Sequence, residues 1–194
     1  MSDDPGAGLE RAGDLAGEPD GFQRLWTPHR MAYIGGENRP RDRSAAADCP
    51  FCRAAAQPDE CGLVVGRGEL TYALLNLYPY NSGHVLVCPY RHVADYTDLT
   101  RAETAELGAT TRTVMRALRA AYAPQGFNLG VNLGDVAGAG IAAHLHQHVV
   151  PRWRGDSNFL PIVARTRALP EILADTRTRL AAAWPAAQVE EESC

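Results

Sequence analysis

Between Leu63 and Pro151 short apolar runs alternate with turn residues, and the period of each run assigns an element. Leu63-Val64-Val65-Gly66 and Leu70-Thr71-Tyr72-Ala73-Leu74-Leu75-Asn76 read as two strands, with the turn glycines Gly66 and Gly68 between them. Pro79-Tyr80-Asn81-Ser82-Gly83 is a turn, and His84-Val85-Leu86-Val87-Cys88-Pro89 is a third strand ended by its proline. Thr100 followed by Glu103 has the spacing of a capping box. Ala105, Leu107, Val114, Leu118 and Ala121 then mark the apolar stripe of a long helix from Arg101 to Tyr122, stopped by Pro124-Gln125-Gly126. Phe127-Asn128-Leu129-Gly130-Val131-Asn132 alternates apolar with small or polar residues and is a fourth strand. Leu145 to Pro151 is a fifth, and Leu169 to Trp184 a C-terminal helix. This order predicts an α+β fold with a mostly antiparallel five-stranded sheet, one long helix and a C-terminal helix.

Outside that body the pattern fades. Residues 1–20 are rich in Gly, Asp and Glu with little to bury, and are expected to form a disordered tail. Trp26, Met31 and Tyr33 are expected to pack on a single domain spanning 21–185, with 186–194 a flexible tail. The 194 residues suffice for one domain with a proper core but not for two comfortable ones. A net charge of -4 argues against a broad surface for a nucleic-acid polymer or an anionic membrane, while leaving room for a locally basic pocket. No apolar run approaches the roughly 20 residues of a membrane span. The first residues lack a basic-then-apolar signal, so a cytoplasmic protein is expected. Five cysteines then favour reduced thiols or a metal site over a disulfide framework.

The chemistry concentrates in His144-Leu145-His146-Gln147-His148-Val149-Val150. Side chains alternate across a strand, so the three histidines are expected to share one face while Leu145, Gln147 and Val149 point the other way. Neutral imidazole attacks phosphorus, and imidazolium serves as an acid near neutral pH. Taken alone, such a row is equally a metal-binding strand. The glycine-rich Gly134-Asp135-Val136-Ala137-Gly138-Ala139-Gly140 just upstream offers backbone N–H groups to phosphate oxygens, which favours catalysis on a phosphate ester. Arg152 and Arg154 could steer phosphate or be solvated strand-end charges, and His29 and His84 have no evident partners.

The run from Asn132 through His144 to Arg152, together with Asn76-Leu77-Tyr78-Pro79-Tyr80-Asn81-Ser82-Gly83-His84-Val85-Leu86-Val87, resembles the histidine triad (HIT) superfamily. The resemblance implies a HIT-like fold with a curved sheet, and a nucleotidyl hydrolase or transferase. It implies that His146 forms a covalent nucleotidyl intermediate and that His148 contacts phosphate and assists. Asn76 matches the residue that holds the ribose hydroxyls, and Asn132, Gly138, Ala139, Gly140 and Ile141 match positions lining the nucleotide. His148 stands where the uridylyltransferase branch has glutamine, which favours the hydrolase-like branches. Ala139-Gly140 replaces the usual Gly-Gln-Thr or Gly-Gln-Ser of the fragile-histidine-triad branch, and one extra residue precedes His144. The flanks Leu25 to Met31 and Pro151 to Phe159 resemble the actinobacterial branch that phosphorolyses diadenosine tetraphosphate. An adenine dinucleoside polyphosphate and inorganic phosphate are then the expected small-molecule partners. The alternatives are hydrolysis of the same substrate, phosphoramidase activity like that of the HINT branch, and a zinc-stabilised nucleotide-binding protein without catalysis.

Cys49-Pro50-Phe51-Cys52 has the spacing of a zinc half-site. In zinc-bearing relatives two cysteines, a histidine after the third strand and the first triad histidine bind the metal. The resemblance thus implies a structural Zn2+ on Cys49, Cys52, His92 and His144. It also implies a homodimer or homotetramer. Cys61, Cys88 and Cys194 have no partner at ligand spacing, and Cys88 is expected simply to be buried.

Overall fold

The computed structural model describes residues 9–11, 23–25, 46–156 and 171–192. Leu9–Arg11 (β1) and Gln23–Leu25 (β2) make a short antiparallel pair with Leu9 opposite Leu25. They belong to a unit, Met1–Arg39, separate from Pro40–Cys194. Most of the expected tail, and the expected packing of Trp26, Met31 and Tyr33, lie outside the described residues.

The second unit is built on β3 (Val64–Arg67), β4 (Thr71–Leu75), β5 (Val85–Pro89), β6 (Gly126–Val131) and β7 (Gln147–Arg152). They form one sheet in the order β3-β4-β5-β7-β6, and every neighbouring pair is antiparallel. The long helix α3 (Arg101–Tyr122) carries the chain from β5 to the edge strand β6, and β7 then returns between β6 and β5. Its capping box forms as the sequence predicts. Glu103 N donates to Thr100 Oγ1, and Thr100 N donates to Glu103 Oε2. Arg91 also binds Glu103, and these donors hold its carboxyl down at about 2.

Alternation along β4 and β5 explains how both faces are covered. Ala73, Leu75, Val85 and Val87 point to one side and pack with Leu107, Val114, Ala117 and Leu118 of α3. The helix α4 (Leu173–Glu192) adds Leu180 and Trp184 to that core. Gly66 lets it approach, because a Cβ there would sit 2.0 Å from the Trp184 ring. Tyr72, Leu74, Leu86 and Cys88 point to the other side, where Cys49 and Phe51 cover them. Phe51 and both Cys-x-x-Cys residues come from α1 (Pro50–Ala56) and its N-cap Cys49, and α2 (Asp59–Gly62) follows. Arg67 ties this segment to β3, donating to Asp59 and to the carbonyls of Ala55 and Gln57.

Three details depart from the sequence pattern. The helices α1 and α2 are too short for a hydrophobic period to declare them. Strand β7 begins at Gln147 rather than Leu145, so only His148 of the three histidines lies on a strand. The C-terminal helix runs past Pro185 to Glu192, over strong helix formers such as Ala186, Ala187 and Glu190, into the stretch expected to be a tail. No helix among the described residues is long and apolar enough to cross a membrane.

Candidate functional site

The segment before β7 is pinned rather than paired. Leu145 N donates to Val93 O at 2.6 Å, which ties it to the chain leaving β5. That anchor turns His144 toward α1. Its Nδ1 lies 3.3 Å from Cys49 Sγ and 3.5 Å from Cys52 Sγ, and His92 Nδ1 lies 3.4 Å from Cys52 Sγ. One ligand atom from each of Cys49, Cys52, His92 and His144 falls within 4.8 Å of the others. On the far side of the ring, His144 Nε2 is 2.9 Å from Pro89 O. A carbonyl only accepts, so Nε2 carries the proton and Nδ1 presents its lone pair to the cluster. Burial pushes the His144 imidazole down to about 4, and burial together with Cys49 pushes the Cys52 thiol up to about 11. Two thiols and two imidazoles gathered this closely are a soft-to-borderline set of four donors, the number and type that zinc takes.

His146 has the opposite tautomer. Its Nδ1 is 2.8 Å from the carbonyl of His144, so the proton sits on Nδ1 and the lone pair on Nε2. It is 6% exposed, and burial lowers its pKa, which keeps the imidazole neutral and nucleophilic. His148 follows on β7, with its ring 5.1 Å from that of His146 and its Cα partner Leu86 on β5. On the opposite face Gln147 Nε2 donates to Thr111 Oγ1 on α3 at 2.8 Å. The alternation expected from the sequence therefore holds from His146 onward. His144 is diverted to the metal-ligand cluster.

A fourth histidine completes the file. His84, 1% exposed immediately before β5, has Nε2 2.9 Å from His148 Nδ1. Its Nδ1 accepts the backbone N–H of Tyr80 at 3.0 Å, with Asn76 Nδ2 at 3.3 Å. A backbone N–H can only donate, so His84 keeps its own proton on Nε2 and gives it to His148 Nδ1. His148 is thereby fixed with its proton on Nε2. Burial and neighbouring His146 push His148 down to about 4. Sequence reasoning leaves His84 without a partner. The signal that finds it is its place immediately before β5, the neighbour of the strand that carries His148.

The remaining expected site residues are spread around this file. Asn76 directly follows β4; its Oδ1 accepts from Tyr78 N, and its amide faces His84. Gly83, at φ +74, turns the chain back into β5. Tyr80 stacks on the His148 ring at 5.7 Å and 14°, while Leu77 and Tyr78 are exposed beside it. Gly130 pairs with His148 across β6 and β7, so Asn132 follows beside the segment that carries His146. Ile141 packs against the cluster that contains Cys49 and Phe51. In the glycine-rich loop, Gly138 N donates to Asp135 O and Ala139 N to Gly134 O, so two backbone donors close the turn itself. Gly140 is exposed.

A family model described as the HIT domain matches residues 58–155. An AP-4-A phosphorylase of Mycobacterium tuberculosis is 49% identical over 170 residues, covering 87% of each chain. The chain belongs to the HIT family. Among solved HIT structures, a zinc-bound histidine triad family protein from Mycobacterium smegmatis aligns with a TM-score of 0.59 and 28% identity, over 76% of this chain and 99% of its own. A histidine triad nucleotide-binding protein from Sulfolobus tokodaii aligns with a TM-score of 0.59 and 27% identity, over 71% and 93%.

The matched region of this HIT enzyme holds three closely spaced histidines, His144, His146 and His148. The structure separates them, with His144 among the four side chains that could hold a metal ion and the other two in a file with His84. Arg152 is not free for phosphate. It pairs with Asp156 at 2.6 Å and donates to Asn128, and Asp156 in turn accepts from Asn81. This triangle ties the end of β7 to the turn before His84. Arg154 is exposed.

Proposed function

We propose that this chain is a phosphorylase of diadenosine tetraphosphate, producing ATP and ADP through a covalent adenylyl group on His146. The observation that carries the chemistry is the pair of opposite tautomers, a lone pair on His146 Nε2 beside an N–H on His148 Nε2. The relative's name, at 49% identity over most of both chains, supports the substrate.

In the first step His146 Nε2 attacks the α-phosphorus of one adenosine, and the bond from that phosphorus to the bridging oxygen breaks. His148 Nε2–H faces the developing negative charge on the departing ATP, and His84 behind it keeps that proton on the correct nitrogen. In the second step an oxygen of inorganic phosphate attacks the same phosphorus, the P–N bond breaks, and ADP leaves with His146 regenerated. In this reading Asn76 holds the ribose, and Asn132 and the 138–141 loop line the phosphates. Cys49, Cys52, His92 and His144 would hold a zinc ion. When bound it neutralises the two thiolates and supplies no group to the reaction, so its contribution is structural. The edge strand β6 leaves Asn128, Leu129 and Gly130 exposed, and we assign this edge to contact with a second copy of the chain.

Chromatography of the products at zero and millimolar phosphate tests the acceptor. ADP plus ATP, formed faster with phosphate, is the expected result. AMP plus ATP regardless of added phosphate would make the enzyme a hydrolase.

A further inference from the structure

Phe51 lies between the two cysteines of the metal-ligand cluster, yet its ring reaches the nucleophile. The ring centroid is 4.9 Å from that of His146 at 45°, and 5.6 Å from that of His144 at 80°. Its placement does not depend on the cysteines alone. Phe51 O accepts the buried Tyr72 hydroxyl at 2.8 Å, and Tyr72 is itself held by stacking on Tyr90 at 5.0 Å. The chain is thus tied to β4 at the very residue that touches His146.

The nucleophile needs that contact. An imidazole can turn about its Cβ–Cγ bond by half a revolution, which exchanges Nδ1 with Cδ2 and Nε2 with Cε1. Only one of the two orientations lets Nδ1–H donate to the His144 carbonyl and leaves Nε2 as the lone pair facing out. One hydrogen bond to a carbonyl two residues back fixes this loosely, because water can replace either partner. The Phe51 ring, 7% exposed, fills the space beside the imidazole and keeps water out. We infer that Phe51 is a positioning residue for the nucleophile, holding His146 in the single ring orientation that aims Nε2 at phosphorus. This rests on the proposed role of His146 as nucleophile.

Phe51→Ala and Phe51→Leu, purified as full chains with their metal, test it by three measurements. Bound zinc should stay at the wild-type level, since no ligand is changed. Single-turnover formation of the adenylyl–protein adduct should slow by about a hundredfold in Phe51→Ala and about tenfold in Phe51→Leu, while AMP affinity changes by less than about threefold. Long-range ¹⁵N–¹H spectra should show His146 as one tautomer protonated at Nδ1 in the wild type, and as a mixture in the variants. Adduct formation at the wild-type rate in variants that keep their zinc would overturn the inference. So would zinc lost in parallel with rate, since Phe51 would then serve the metal-ligand cluster alone. If Phe51→Ala does not fold, Phe51→Leu carries the same three measurements. His146→Ala serves as the separate control: should it still form product, the nucleophile assignment itself fails, whatever Phe51 does.

Discussion

His144 and His146 stand two residues apart in one segment, yet they serve two regions with opposite demands. In the metal-ligand cluster, a backbone carbonyl takes the proton of His144 on Nε2, and the inner nitrogen Nδ1 becomes the donor atom. In the reactive file a backbone carbonyl takes the proton of His146 on Nδ1, and the outer nitrogen Nε2 becomes the lone pair. The accepting group is a carbonyl in both cases. Which nitrogen it meets decides whether the imidazole faces inward to a metal or outward to a substrate. Function is therefore assigned by the backbone around each ring more than by the ring itself.

Removing a histidine from the reactive file should hit turnover hardest. His146→Ala is expected to lower kcat by at least about a thousandfold with nucleotide affinity retained, measured by steady-state kinetics and calorimetry. Activity within tenfold of the wild type would show that the outward-facing lone pair is not the nucleophile. The cluster should fail in a different way. Cys49→Ser should strip the chain of its roughly one zinc and lower the melting temperature by about 10 °C or more, read by elemental analysis and calorimetry. A variant that loses activity at unchanged metal content and stability would erase the distinction between the two regions.

His84→Ala acts inside the file. It removes the group that keeps the proton of His148 on Nε2, so kcat should fall by about ten- to a hundredfold with KM little changed. A KM effect alone would place His84 in substrate binding.

The sheet was legible in the sequence because most of its strands are short apolar runs bounded by turn residues, and the long helix because it opens on a capping box and carries an apolar stripe. Val85, Val87, Leu107, Val114 and Leu118 fall in the core that their spacing predicts. The site was legible in its residue types and only partly in its geometry. A strict alternation puts His144, His146 and His148 on equal terms, but β7 starts only at Gln147, and the bond from Leu145 N to Val93 O redirects what precedes it. His84 was opaque for a related reason. Its partnership with His148 crosses 64 residues and depends on β5 and β7 being neighbours, which no local pattern states. Arg152 was ambiguous for lack of its partner Asp156, four residues on, which a turn brings back to it.

The smallest expected effect concerns pH. His148 titrates at about 4 when folded against an ordinary value of 6.5. Between those values the unfolded chain holds a proton that the folded chain does not, so stability falls as pH drops from 6.5 toward 4. His148→Gln removes that titration. Its melting temperature should fall less than that of the wild type between pH 6.5 and 5, by about a few °C. Parallel curves for the two proteins would mean that His148 is not held neutral by its surroundings.

If the outward-facing nitrogen of His146 forms a bond to phosphorus, that bond can be trapped. Protein mixed briefly with diadenosine tetraphosphate in the absence of phosphate, quenched under alkaline conditions that preserve phosphohistidine, and digested can be read by mass spectrometry. One added adenylyl group is expected on the peptide containing His146, absent in His146→Ala and discharged as ADP when phosphate is added before the quench. An adenylyl group found on His148 or His84 instead, or product formed with no adduct at any time during turnover, would contradict it.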